Sequence, residues 1–406
     1  MKPLEGIRVL DFTQFFSGPV CTLLLSDFGA EVIKLENPPA GDATRYGKVM
    51  VSEGSTHYAT RNRGKKSVVI NMKDEEQKNL FLELVKTADA VVENFKPGTM
   101  EKFGITYEVL EKINPRIVYT SISGYGQEGP FANRAAYDTT VQAESGVMTL
   151  TGEAGGNPMI CGASIADYCG GLMGCIGTLT GIIDAQRTGH GRRVDASMMD
   201  ALLLLQENRL STYLENKVLP KPNGNRYPAA SPIGDFMCKD GVPVMMNVST
   251  DAQFKAFAKV FEQPQWLENP HFTSMSLRAE HYLEMEAEVN RVFAELDSAE
   301  VVERMQSRKL VYGRINNYEA VVNHPQVEFR KSFVHAVYPD GTSFQVPGNP
   351  ILMSGMEKEN EYATMPLGSN TVEVLSEIAD EETVHRIMDP VLEQVAEKTK
   401  AMYHRG

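Results

Sequence analysis

Between Cys161 and Asp195 the chain reads CGASIADYCGGLMGCIGTLTGIIDAQRTGHGRRVD, and Asp167 is the only acid in that stretch before Asp184. It stands where an extended Gly-Ala-Ser segment runs into a helical pattern. A carboxylate there would meet the positive end of a helix dipole and the unpaired amides of a first turn, which stabilise its ionised form. Such a charge can serve chemistry, and the same position equally suits an ordinary N-cap on a tightly packed helix. Spacing alone does not separate the two. Downstream, Gly170, Gly174, Gly177 and Gly181 recur at spacings of four, three and four. They form one bare stripe that lets another backbone or a ligand come close.

Other segments carry weaker signals. Gly124-Tyr125-Gly126-Gln127-Glu128-Gly129 fits GxGxxG directly after a strand pattern, an arrangement that can cradle a dinucleotide. Pro130 follows at once, no apolar helix begins, and Glu144-Ser145-Gly146 stands where a strand end is needed, so the stretch reads as a flexible glycine loop. Arg61-Asn62-Arg63-Gly64-Lys65-Lys66, with Lys34, Arg45, Lys96 and Lys102, reads by default as solvated surface, and otherwise as a local positive mouth for a phosphorylated ligand. The eight histidines show no HxxxH or HExxH spacing, so no metal is expected. Neither a GxSxG elbow nor a Walker loop is present, which leaves serine hydrolysis and phosphoryl transfer without their parts.

The elements that must position these residues alternate. Ile7–Phe12, Glu31–Glu36, Ser67–Asn71, Ala90–Glu93 and Arg116–Ile122 are β-branched runs, with helices predicted over 19–28 and, capped by Asp74, to Lys86. This rhythm predicts an α/β fold with an open parallel, Rossmann-like sheet covered by helices on both faces. Two long helices follow, over 168–187 and 196–216, separated by an extended Arg193–Asp195. The proline- and glycine-rich residues 219–235 read as a linker. We therefore expect a large α/β domain over 1–218, a smaller α+β domain over 236–330, and a segment, 331–406, that returns to the first. Pro339-Asp340-Gly341 between two strand patterns signals a hairpin.

At 406 residues, 42% hydrophobic and 23% charged, the chain can build a large core. Its net charge of -13 opposes extended contact with nucleic acid or an anionic membrane. Five cysteines without a CxxC pair are expected to be reduced and mostly buried. The N-terminus shows no signal-peptide pattern. The best membrane candidate, 168–183, falls short of the roughly 20 apolar residues of a span. A cytoplasmic protein is expected.

Several ordered blocks resemble the class III coenzyme A transferases, the family of formyl-CoA:oxalate and acetyl-CoA:oxalate transferases. They are LEGIRVLDFTQFFSGP (4–19), FGAEVIKLENPPAGDATR (28–45), KKSVVINMK (65–73), ADAVVENFKPGTMEKFGI (88–105), NPRIVYTSISGYGQEGP (114–130), AYDTTVQAESGVMTLTG (136–152) and ASIADYCGG…TGHGRRVDASMMDA (163–201). NRYPAASPIGDF (225–236) and NHPQV (323–327) continue the likeness more thinly. The resemblance implies two chains interlocked as a homodimer, with coenzyme A or acyl-CoA as substrate and no permanently bound cofactor. It makes Asp167, in the ASIAD block, the catalytic nucleophile. By motif position it assigns CoA contacts to Phe16, Ser17, Asn71, Met72, Lys73, Asn94, Phe95, Lys96, Lys102, Tyr137 and Asp138. The loop glycines Gly124, Gly126 and Gly129 become a candidate cover that offers backbone N–H groups.

The implied activity is movement of CoA from an acyl-CoA such as acetyl- or succinyl-CoA to a small carboxylate, a dicarboxylate such as oxalate among them. Oxalate-specific formyl-CoA members carry glutamine where this chain has Phe16, and a tetraglycine loop absent between Pro232 and Val248, so the likeness leans to the acetyl- and succinyl-CoA branches. Two alternatives share the substrate. An α-methylacyl-CoA racemase of the same fold carries His-Asp where this chain has Tyr137-Asp138 and needs that histidine as a proton shuttle. A non-catalytic acyl-CoA binding protein would not need Asp167.

Overall fold

The computed structural model describes residues 2–46, 50–51, 54–227 and 229–403; Pro228 of the expected linker lies outside them. The chain divides into two compact units. The first comprises 1–147, 160–216 and 329–406; the second comprises 148–159 and 217–328. Residues 148–159, in the stretch read above as large domain, thus go with the second unit.

The first unit is built on six parallel strands: β1 (Arg8–Asp11), β2 (Glu31–Glu36), β3 (Lys66–Val69), β4 (Ala90–Glu93), β5 (Val118–Ser123) and β6 (Arg193–Ser197). Their spatial order is β3-β2-β1-β4-β5-β6, the doubly wound arrangement in which the connections reverse direction between β1 and β4. Both faces are apolar because each is covered. Leu10, Ile33, Val68 and Val91 point to one side, against Phe81 and Leu84 of the helix Glu75–Val85 and Val384 and Met388 of the C-terminal helix Glu381–Tyr403. Val9, Val32 and Val92, one residue out of phase, point to the other. There they meet Cys21 and Leu25 of α1 (Ser17–Asp27) and Cys175 and Ile182 of a long helix described below. The expected hairpin forms, with Phe333–Val337 antiparallel to Ser343–Pro347.

Three further helices complete the frame of the site: α2 (Thr56–Asn62), α3 (Asp138–Glu144) and α4 (Ile165–Thr188). At 24 residues α4 is longer than the sequence suggested, and by length and composition it could cross a membrane. Its glycine face instead lies on the sheet and on α1. A Cβ on Gly174 would stand 2.5 Å from Ile122 Cδ1, on Gly177 2.5 Å from Val194 Cγ1, and on Gly171 2.5 Å from the Ser17 carbonyl oxygen. The stripe therefore serves backbone packing. The helix expected over 196–216 is two, α5 (Met198–Leu205) and α6 (Glu207–Asn216). The break falls at Gln206, whose side chain turns inward and donates to the Ser145 carbonyl at 2.8 Å.

The second unit holds a three-stranded antiparallel sheet, Ile233–Met237, Pro243–Asn247 and Val311–Arg314. It is closed by the helices Asp251–Val260, Tyr282–Phe293 and Ser298–Ser307 around Phe254, Phe257, Trp266 and Phe293.

Candidate active site

Ligands of doubly wound folds bind beyond the carboxyl ends of the strands, where the strand order reverses. A cavity of about 490 Å³ lies there, between the loop after β1 and the loop after β4. The first loop contributes Phe15, Phe16 and Ser17, the second Asn94, Phe95 and Lys96. Asn94 joins the two: its Oδ1 accepts the Gln14 N–H at 2.7 Å, and its Nδ2 donates to the Gln14 carbonyl at 2.9 Å and to Ser17 Oγ at 3.2 Å. Phe15 is held at φ +62°, a left-handed conformation that bulky residues avoid. Gly124, Tyr137, Asp138 and Asp167 close the other side.

Asp167 is the third residue of α4, and Ser164 takes the N-cap position without a capping hydrogen bond from its side chain. The first-turn amides go to Asp138. Its Oδ1 accepts the N–H of Ala166 at 2.8 Å and that of Asp167 at 3.3 Å, while Gln142 Nε2 donates to its Oδ2 at 2.7 Å. This corrects the expectation that those amides stabilise the Asp167 carboxylate. That carboxyl is instead pushed up to about 6, by burial first and by the neighbouring Asp138 charge second, with Arg61 opposing. Among the described residues no group donates a hydrogen bond to it. It is a half-buried carboxylate, poorly solvated and still ionised at neutral pH.

Of the residues assigned above to CoA, the cavity wall gathers Phe16, Ser17, Asn94, Phe95, Lys96, Tyr137 and Asp138 around Asp167. Asn71, Met72, Lys73 and Lys102 lie outside that wall. The Met72 side chain sits in the core, and Asn71 Oδ1 accepts the Lys73 N–H at 3.1 Å. The glycine loop is pinned, not flexible: Gly126 N–H donates to Ser123 Oγ at 3.1 Å and Gln127 N–H to Asp195 Oδ2 at 2.8 Å. Only Gly124 of the three reaches the cavity, and a Cβ there would stand 2.1 Å from that of Ala136. Glycine at 124 thus admits the segment that carries Tyr137 and Asp138.

The positive mouth does not form. Lys65 is buried against Asp11 at 3.0 Å, Arg63 against Asp27 at 2.9 Å and Lys34 against Asp42 at 3.1 Å, and Arg45 pairs with Glu36. Lys66 bridges Glu31 and Glu373 at 2.8 and 2.9 Å. Lys96 and Lys102 remain exposed. One residue of the run, Arg61, reaches the site's electrostatics, and nothing in its sequence position marked it out. The histidine spacing also missed a group in the second unit. Ligand atoms of His271, His281 and Glu284 lie within 4.8 Å of one another, with the two imidazoles stacked at 3.8 Å.

The sequence matches CoA-transferase family III over residues 4–371. It is 34% identical to an acetyl-CoA:oxalate CoA-transferase of Acetobacter aceti, over 90% of this chain and 92% of that protein. It is 32% identical to a succinyl-CoA:glutarate CoA-transferase of Homo sapiens, over 93% of this chain and 86% of that protein. The fold matches the crystal structure of a CaiB/BaiF family protein from Brucella suis with a TM-score of 0.84 and 29% identity, covering 93% of this chain and 100% of that one.

Proposed function

The chain belongs to CoA-transferase family III, and from that premise we propose that Asp167 carries CoA from an acyl-CoA to a small dicarboxylate. The observation that supports this reading is the desolvated Asp167 carboxylate, free of hydrogen-bond donors among the described residues and facing a cavity at the reversal of strand order. Desolvation and proximity are what a weak carboxylate nucleophile needs.

An Asp167 oxygen bonds to the thioester carbonyl carbon, the C–S bond breaks, and CoA leaves as thiolate. The product is a mixed anhydride of Asp167 and the donor acid. The thiolate then attacks the Asp167 carbonyl, the donor acid departs as carboxylate, and an aspartyl-CoA thioester remains. The acceptor carboxylate attacks that thioester and expels thiolate, giving a second anhydride. Attack of thiolate on the acceptor's acyl carbon releases the new acyl-CoA and restores Asp167. Both anhydrides hydrolyse if water reaches them, so the cavity must close over its occupants.

In this reading Phe16, Ser17, Asn94, Phe95, Lys96 and Tyr137 contact CoA near the thioester. Lys73 and Lys102, both exposed, suit its phosphates as point charges. Asn71 and Met72 act through the backbone of the turn after β3. Asp138 holds the amide end of α4. The acceptor class, oxalate or a longer diacid, follows the relatives' names. A homodimer fits the outward face of α4, where Tyr168, Leu172, Ile176 and Ile183 are 43–56% exposed. A cytoplasmic location fits the five free thiols. The racemase alternative gains nothing, since among the described residues no histidine lines the cavity.

The test is intact-protein mass after mixing with acetyl-, succinyl- or formyl-CoA without acceptor. An adduct of CoA mass in wild type and not in Asp167→Ala supports the reading. No adduct with any donor rejects Asp167 as the carrier, and α-proton exchange would then be measured.

A further inference from the structure

Six cationic side chains are buried among the described residues: Lys34, Arg45, Arg61, Arg63, Lys65 and Arg278. Five have a carboxylate at salt-bridge distance: Asp42, Glu36, Asp27, Asp11 and, for Arg278, Asp251. Arg61 is the one without. It is 7% exposed, its Nη1 donates to the His57 carbonyl at 2.7 Å, and its Nε is buried with no partner. The Tyr168 hydroxyl is its hydrogen-bond partner on the side of α4, and the charges of Asp42 and Asp167 act on it from beyond salt-bridge distance. Its Cζ lies 3.3 Å from the centroid of the Phe16 ring, and Phe16 belongs to the cavity wall. The guanidinium therefore sits one ring behind the cavity.

Burying a cation without its counter-charge is costly, and truncated ion pairs show how large the deficit is. An aromatic face offsets part of it. We propose that Arg61 is the subsite for the distal carboxylate of a diacid, which completes the missing ion pair when the Phe16 ring turns aside. With Nη1 spent on His57 and the Tyr168 hydroxyl a further hydrogen-bond partner, the unpartnered Nε is the donor left to meet a carboxylate. The cavity itself already contains two acids, Asp138 and Asp167, so a substrate with two carboxylates needs a cation there. The two cations on the wall itself are worse placed. Arg134 is paired with Glu144 at 2.7 Å and half exposed, and Lys96 is solvated. This inference rests on the reading that Asp167 is the carrier. It adds the side chain that reads the second carboxylate and so sets diacids above monoacids.

The experiment compares kcat/KM in two arms for wild type, Arg61→Gln, Arg61→Lys and Lys96→Met. One arm uses succinate against butyrate as acceptors with a common donor; the other uses succinyl-CoA against butyryl-CoA as donors with a common acceptor. The diacid-to-monoacid ratio is expected to favour the diacid in wild type and to fall roughly 100-fold in Arg61→Gln, as loss of a buried charge pair does. Arg61→Lys should keep part of it. A fall in only one arm says whether donor or acceptor presents the distal carboxylate. A ratio unchanged in Arg61→Gln, an equal loss on diacid and monoacid, no diacid preference in wild type, or a ratio that moves with Lys96→Met instead overturns the assignment. Formation of the CoA adduct in the Arg61 variants shows that they fold. Its absence in wild type is the separate failure of the Asp167 reading.

Discussion

Asp138 and Asp167 share the amide end of one helix: Asp138 Oδ1 accepts the Asp167 N–H at 3.3 Å and its neighbour's at 2.8 Å, so one carboxylate holds the backbone of the other. The arrangement fixes the first turn of α4 and sets a like charge beside the Asp167 carboxyl.

The first prediction follows from that charge. The attacking form of Asp167 is the carboxylate, and its carboxyl stands near 6, so the rate of adduct formation with acetyl-CoA should fall as pH drops below about 6. Asp138→Asn keeps an oxygen for the two amides and removes the charge. Its acid limb should therefore move to lower pH, while Arg61→Gln should move the limb upward. A limb that stays in place in Asp138→Asn would show that Asp138 acts by geometry alone.

Stability gives an independent reading of the same group. The folded Asp167 carboxyl lies above its unfolded value of 3.8, so folding takes up a proton there and ionisation opposes folding. The penalty is absent well below pH 4, grows between about 4 and 6, and is complete above. Asp167→Asn should therefore melt higher than wild type at pH 8, and the gain should fade as pH falls toward 4. An equal melting shift at both pH values would remove the electrostatic explanation.

Lys65 tests the fate of the basic run. Its Nζ donates to Asp11 Oδ2 at 3.0 Å, Thr22 Oγ1 at 2.7 Å and Asn62 Oδ1 at 2.9 Å, all buried. Lys65→Met leaves Asp11 charged with no cation at salt-bridge distance among the described residues, and denaturant melts should show a loss of about 3 kcal/mol. Adding Asp11→Asn should recover part of it. The salt dependence of KM for acyl-CoA should not change, since Lys65 faces no solvent; a weaker dependence would restore the phosphate-binding role.

Much of this was legible in the sequence, and the limits have a common cause. The β-branched runs at Glu31–Glu36 and Ala90–Glu93 fall on strands with those bounds, because a strand covered on both faces carries consecutive apolar residues at its middle, here Val32-Ile33 and Val91-Val92. Asp167 stood out as the acid where a helix begins. What the sequence concealed was who answers each charge. The amides of Ala166 and Asp167 in α4 go to Asp138, 28 and 29 residues earlier. The cations at 61–66 differ only in tertiary partners: Lys65 meets Asp11 and Arg63 meets Asp27, while Arg61 meets a phenyl ring. The glycine stripe likewise declared close approach, and only the fold reveals that Ile122, Val194 and Val118 are what approaches.

Gly124 joins packing to chemistry, and its substitution should separate them. A methyl group at 124 would need the space of the Ala136 Cβ, which stands 2.1 Å from it, so alanine must drive the 136–138 segment outward. Overpacking of this kind costs about 1–3 kcal/mol. Because the displaced segment ends in Asp138, the damage should reach the cap on α4 and misplace Asp167. Gly124→Ala should therefore slow adduct formation by roughly 10-fold or more, since small misplacements at a reacting centre are expensive. Gly341, at φ +86° in the exposed hairpin turn, is the control: alanine there meets backbone strain but no atom within 4 Å. Gly341→Ala should lower the melting temperature and leave the adduct rate alone. If the two variants lose rate in proportion to lost stability, Gly124 is a packing residue only. If Gly124→Ala alone loses rate, the contact with Ala136 is what holds Asp138 in place beneath the nucleophile.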